Sequence, residues 1–318
     1  MCLTNYTTLK YFIIKGITDV PELQVTMFLL VLTMYLITLI GNLTILLLIC
    51  LESHLHTPMY FFLGNLSILD ITSTTITLHK ILVIFVSHNR IVSFIVCMIQ
   101  MFIFSSFSCN SLFVLTAMSY DRYVAICKPL HYTMVMSRKV CIILAFVCWV
   151  LGFSQIIPIL IYLSRFTFYK SNEINHFFCD IVPLIKLSCN DTSSLELYIL
   201  INGLFLSIFP FLLTFFSYVF IILSILKIHS STGRHKAFYT CSSHLTVVAL
   251  LYITLGCQYL KPTWQGNLDS NKMFSLFNTA AVPMLNPLIY SLKNTDVKSA
   301  LRKTLNYQRN MFQKIFKV

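Results

Sequence analysis

Long stretches without Asp, Glu, Lys or Arg set the pattern of this chain. Six are found, at Leu23–Leu51, Ile91–Tyr120, Val140–Ser164, Leu197–Leu226, Ala237–Leu260 and Met273–Leu292. A seventh, Pro58–Leu82, is interrupted only by Asp70 near its middle and Lys80 near its end. A helix needs about 20 mostly apolar residues to cross a bilayer. In lipid the backbone must satisfy its own polar groups, which favours helices. The pattern therefore predicts an all-α membrane protein with seven spans. A barrel would show segments of about ten residues with alternating polarity, and these runs are longer and more uniformly apolar. Met1–Glu22 lacks the features of a cleavable signal, so span one is expected to direct its own insertion.

Composition agrees with this reading. Hydrophobic residues make up 57% of the 318 and charged residues 11%, against about 25% charged in a soluble domain. That excludes a disordered chain and disfavours a soluble enzyme. No Gly-rich phosphate loop, H-E-x-x-H or G-x-S-x-G motif is present, so neither enzymatic activity nor a cofactor is expected.

The remaining charges predict sidedness. Seven spans put the two ends of the chain on opposite sides. One set of loops, with the N-terminus, holds nine Lys and Arg and seven acids. The other set, with the C-terminal tail, holds fourteen and three. The positive-inside rule makes the second set cytoplasmic, although Lys10 and Lys15 locally oppose it. The expected organisation is an extracellular N-terminus over 1–22, a bundle over 23–292 and a cytoplasmic helix and tail over 293–318. The basic excess then faces anionic lipid and acidic partners, and no soluble basic surface suits nucleic acid.

Polar residues within spans invite functional hypotheses. Asp70 is the one mid-span acid, with Asn42, Ser111 and Asn286 expected at similar depth. They would form either a two-state polar cluster or a structural hydrogen-bond network. Asp121-Arg122-Tyr123 ends span three. Span seven carries Pro283 and Pro287, each of which removes a helix hydrogen bond, and Asn286 is expected to satisfy a freed carbonyl. Cys50, Cys109, Cys127, Cys141, Cys148 and Cys241 are expected to be reduced. Cys97, Cys179 and Cys189 lie on the outer side, and a bridge from Cys97 would pin the long loop Arg165–Glu196 over the bundle. His176, Cys179 and Asp180 lack the second paired set of a metal site. Of four Asn-x-Ser/Thr sequons, Asn42 and Asn65 lie inside spans and Asn190 close to span five, leaving Asn5 as the expected glycosylation site.

These pieces stand in a telling order. Gly41-Asn42 lies in span one, and His56-Thr57-Pro58-Met59-Tyr60-Phe61-Phe62-Leu63 opens span two. Met118-Ser119-Tyr120-Asp121-Arg122-Tyr123-Val124-Ala125-Ile126-Cys127-Lys128-Pro129-Leu130-His131-Tyr132 ends span three. Ser217-Tyr218 lies in span five and Lys236-Ala237-Phe238-Tyr239-Thr240-Cys241-Ser242-Ser243-His244 enters span six. Pro283-Met284-Leu285-Asn286-Pro287-Leu288-Ile289-Tyr290 closes span seven. The chain thereby resembles the olfactory (odorant) receptors, within the rhodopsin-like G-protein-coupled receptors, over nearly its whole length.

The resemblance implies a seven-transmembrane bundle followed by a short amphipathic cytoplasmic helix. It implies a ligand pocket in the outer half and coupling to a stimulatory, olfactory-type G protein that raises cyclic AMP. Asp121, Arg122, Tyr123, Tyr218 and Tyr290 would form the cytoplasmic switch, and Cys97 would bridge to Cys179. Several positions depart from the family. Tyr169 replaces a loop cysteine, which leaves Cys189 without its customary partner. Ser111 replaces a frequent acid, His79 a proline and Tyr239 a serine.

Helical spacing puts Met101, Phe104, Ser105, Ser108 and Cys109 on one side of span three. By resemblance, Asn202, Leu206, Tyr252, Leu255, Tyr259, Leu276 and Thr279 would face the same cavity. None of these residues is charged, and a buried charge needs a buried partner. The expected ligand is small, neutral and mainly apolar, with one or two hydrogen-bonding atoms for Ser105, Ser108, Asn202 and Tyr259. A transporter or channel is one alternative, but only Asp70 offers it a charged pore residue; a receptor of this family used outside the nose is a closer one.

Overall fold

The computed structural model describes residues 10–18, 20–166, 171–256 and 268–315. The apolar runs become long helices. Span one is α1 (Pro21–Leu51), span two α2 (Pro58–Ser87) and span three α3 (Phe94–Cys127). A proline in the first turn of α1 and of α2 occupies a position where no helical donor is lost. Ser93 caps α3, its Oγ accepting from the Val96 N–H. A short turn, α4 (Tyr132–Val135), leads to span four, built from α5 (Arg138–Ser154) and α6 (Ile157–Ser164). The break between them precedes Pro158, which cannot donate to the Ser154 carbonyl.

The long loop holds α7 (Ile181–Leu187). Spans five and six are α8 (Ser193–Leu226) and α9 (Ser231–Leu255). Span seven is assembled from α10 (Leu268–Leu276), a π-helical turn at Phe277–Ala281 and α11 (Val282–Lys293). The last helix, α12 (Thr295–Ile315), turns off at Asn294. The Asn294 Oδ1 accepts from the Asp296 N–H at 2.9 Å, and Tyr60 on α2 donates to both Asn294 and Asp296 at 3.1 Å.

The most buried span is α3, packed against α2, α5, α8 and α9. Small residues allow the closest approaches, as expected where lipid supplies no hydrophobic drive between helices. A Cβ on Gly41 would meet Pro287 Cγ at 2.8 Å, and one on Gly152 would meet the Asn110 side chain at 2.5 Å. Trp149 Nε1 donates to Asn65 Oδ1 at 3.0 Å, joining α5 to α2.

One element is absent from the hydrophobic pattern of spans. The strand β1 (Tyr11–Ile14) pairs antiparallel with β2 (Ile91–Ser93) and parallel with β3 (Glu173–Ile174). This small sheet ties the N-terminal segment to the long loop and to the entry of α3. Phe12 and Ile14 are fully buried beneath it.

Candidate functional site

Proline chemistry shapes the core of the site. Pro283 and Pro287 cannot donate to the carbonyls four residues earlier, those of Thr279 and Pro283. Both are taken up by other helices. Asn42 Nδ2 on α1 donates to the Pro283 carbonyl at 3.3 Å, and Thr74 Oγ1 on α2 donates to the Thr279 carbonyl at 3.4 Å. Asn286 has a different partner from the one its position suggested: its Nδ2 donates to Asp70 Oδ2 at 2.8 Å. Asp70, Ser111 and Asn286 line a cavity of about 30 Å³, room for a single water. Asn42 is not on its wall.

The Cys97–Cys179 bridge is present, with Cα atoms 5.4 Å apart. It takes up the Cys179 sulfur, so the His176–Cys179–Asp180 run cannot act as a metal-ligand set through that atom. The Cys179 N–H donates to Gln100 Oε1 at 3.0 Å, and Gln100 Nε2 donates to the Ile76 carbonyl at 2.8 Å. Beside the bridge, Phe177 and Phe178 are fully buried among Val31, Leu78, Ile81 and Leu276. His176 lies against both rings with its Nε2 3.2 Å from Ser275 Oγ. Burial, with a smaller contribution from nearby Lys272, pushes the His176 imidazole down to about 3. This loop segment is a plug over the bundle. Cys189 is also disulfide-bonded. The loss of a cysteine at Tyr169 therefore does not leave Cys189 a free thiol. The cysteines expected to be reduced, Cys50 through Cys241, are free.

Below the plug is a cavity of about 300 Å³ between α3, α8 and α9. Ser105, Ser108, Cys109, Asn202, Leu206, Tyr252 and Leu255 line it. Among the described residues no charged side chain lines it. Ser105 Oγ is buried without a hydrogen-bond partner. Ser108 Oγ donates to the Phe104 carbonyl at 3.1 Å, and Asn202 Nδ2 lies 3.5 Å from Tyr198 Oη.

Four expected lining residues are elsewhere. Met101 is buried beside the small sheet with Phe12 and Cys97. Phe104 faces the plug, edge-on to Phe178 at 4.9 Å, and borders the smaller Asp70 cavity. Leu276 packs on Phe177 and Phe178. Thr279 belongs to the π-helical turn, and its Oγ1 donates back to the Ser275 carbonyl at 2.8 Å. Tyr259 and Asn5 lie outside the described residues. The cavity also takes Ile156 and Ile159 from span four, Ile181 from α7, and Ile199, Gly203 and Phe211 from α8. Ile199, Asn202, Gly203 and Leu206 share one helical face by i, i+3, i+4, i+7 spacing, a signal available in the sequence. The contribution of α7 had no such signal.

At the other end of the bundle, Asp121 is buried and accepts from Tyr132 Oη at 2.8 Å. Among the described residues Arg122 makes no ion pair within 4 Å, with Asp121 or any other acid. It lines a small cavity with Met59, Met118, Ser243, His244, Tyr290 and Asn294. Tyr218 Oη lies 2.6 Å from His244 Nδ1. Tyr290 Oη and His244 Nε2 are buried without partners. Tyr123 packs on Phe220 and under Lys128 Nζ. The expected switch residues thus gather at one end, with Tyr123 packed against the buried cluster that holds Tyr218.

Comparison with known proteins gives a consistent relationship. The olfactory receptor family model matches residues 31–308. The chain is 46% identical to mouse Olfactory receptor 8G17 over 95% of its own length and 98% of that receptor's. It is 45% identical to human Olfactory receptor 8D1 over 96% and 99% of the two chains. This protein belongs to the olfactory receptor family: it is a multi-pass membrane receptor with the seven-helix G-protein-coupled receptor fold, and not an enzyme.

Proposed function

We propose that the cavity between α3, α8 and α9 binds a small, neutral, mainly apolar odorant, and that binding activates a stimulatory olfactory-type G protein and raises cyclic AMP. The observation that carries the ligand class is a wall with no charged side chain among the described residues and a buried, unpartnered hydroxyl at Ser105. A charged ligand would lose its hydration there without a countercharge. An apolar ligand with one polar atom would match it, since Ser105 is left unsatisfied in its absence.

In this reading the N-terminus is extracellular and the Arg122 end faces the cytoplasm, following the excess of Lys and Arg. Asp121, Arg122, Tyr123, Tyr218 and Tyr290 form the switch. Arg122 is free of an acid and sits beside two unsatisfied polar atoms. A ligand that favours a rearrangement of α9 and α11 would offer these groups new partners and open a cleft for the G protein, as a shift between pre-existing states.

A cyclic AMP reporter screen against volatile and water-soluble neutral compounds tests the reading. Neutral compounds are expected to raise cyclic AMP, and Arg122→Ala to abolish the rise at unchanged surface expression. Responses confined to ionic compounds, or retained without Arg122, would overturn it.

A further inference from the structure

A groove of about 470 Å³ lies apart from the odorant cavity, at the Arg122 end of the bundle. It is formed by the end of α1, the start of α2 and the start of α5. Leu55, Met136 and Cys141 make a buried floor. Phe61 and Ile142 make apolar walls that are 38% and 52% exposed, so the groove opens sideways onto the membrane. A groove with that wall in a membrane protein meets acyl chain, not water.

Its rim has a different chemistry. Arg138 lines it and has no ion pair or hydrogen bond among the described residues. Lys139 is exposed beside it. Among the described residues no carboxylate lines the groove. The nearest acid in the adjoining loop, Glu52, is held by Lys303 at 2.8 Å and His54 at 3.5 Å. The side chain of Ser137 does not cap α5, so the N–H groups of its first turn have no side-chain acceptor. A planar guanidinium beside the open N-terminus of a 17-residue helix suits a phosphate.

We propose that this groove is a binding site for one phospholipid of the adjoining leaflet with a net negative headgroup. Its phosphate sits against Arg138 and the first turn of α5. One acyl chain runs along Ile49, Phe61 and Ile142. A sterol would place only a neutral hydroxyl at the rim and leave Arg138 unmatched. A zwitterionic lipid would bring its own cation beside Arg138 and Lys139. The cytoplasmic placement proposed above bears only on which lipids meet the groove in a cell; the site itself does not rest on it.

The test uses the full chain, purified and stripped of lipid, with native mass spectrometry. Phosphatidylserine and phosphatidylcholine of the same acyl chains are added in turn, with cholesterol as a third arm. Wild type is expected to retain one phosphatidylserine in preference to phosphatidylcholine. Arg138→Gln removes a charge-assisted bond and should cut that preference about tenfold or more. Lys227→Gln, a basic change elsewhere at the same end, should leave it intact. Equal retention of both phospholipids, an unchanged preference in Arg138→Gln, or displacement of phosphatidylserine by cholesterol overturns the proposal. A phosphatidylserine with a photoreactive acyl chain gives a second reading on the wild-type protein alone. Labelling is expected on the peptides carrying Phe61 and Ile142, and labelling confined to other helices overturns the site.

Discussion

Ser105→Ala separates a ligand-binding hydroxyl from a structural one, because the two roles predict opposite signs. Ser105 Oγ is buried and has no partner. A buried, unsatisfied polar group costs about 1–3 kcal/mol, so deleting it should leave thermal stability unchanged or raise it. With an odorant that hydrogen-bonds to Ser105, the deletion removes a contact worth about 0.5–1.5 kcal/mol. That corresponds to a loss of potency of about two- to tenfold. A hydrocarbon congener of the same shape makes no such bond and should keep its potency. The assay is a pair of cyclic AMP concentration–response curves, polar odorant and hydrocarbon congener, with a melting curve of the purified protein. If Ser105→Ala lowers stability and weakens both compounds equally, the hydroxyl holds the fold and the reasoning fails.

Asn42→Ala orphans the Pro283 carbonyl, which Pro287 has already deprived of its helical donor. Interhelical hydrogen bonds in membranes contribute about 0.6 kcal/mol on average and at most about 1.7, so a loss within that range is expected on chemical or thermal unfolding. No loss would show that the carbonyl finds another partner. His176 is buried as the neutral imidazole, its value pushed from 6.5 down to about 3. Between those values the unfolded segment binds a proton that the folded one refuses. Stability is therefore full above about 6.5 and falls as pH drops toward 3, by up to about 1.4 kcal/mol per pH unit. Removing the titration with His176→Gln should flatten that acid limb in a pH series of melting curves; an equally steep limb would place its origin elsewhere. Peptide mapping without reductant should find Cys189 in a cross-linked peptide, and alkylation of Cys189 before reduction would contradict the bridge.

The spans were legible because charge exclusion over 20 or more residues has few causes other than lipid. Asp70 was legible as an anomaly for the same reason. What the sequence hid depends on contacts between distant segments. Tyr11–Ile14 is four residues long, and its pairing with Glu173–Ile174 is a long-range event with no local signature. Asn286 keeps its expected place beside Asp70, whereas the carbonyl that Pro287 frees is taken by Asn42 from α1, a contact between distant segments. The family resemblance puts Leu276 and Thr279 in the cavity, but Thr279 belongs to the π-helical turn at Phe277–Ala281 and the Phe177–Phe178 plug fills the space beside Leu276.

Filling the cavity tests the central claim most directly. A Cβ added to Gly203 meets nothing within 4 Å, and Gly203 lines the cavity from α8. Gly203→Trp should therefore place an indole where the odorant would lie without disturbing the backbone. At equal surface expression, the account predicts that odorant-evoked cyclic AMP is lost while stability is kept. An unchanged concentration–response curve would mean that the ligand binds elsewhere, and would contradict the account.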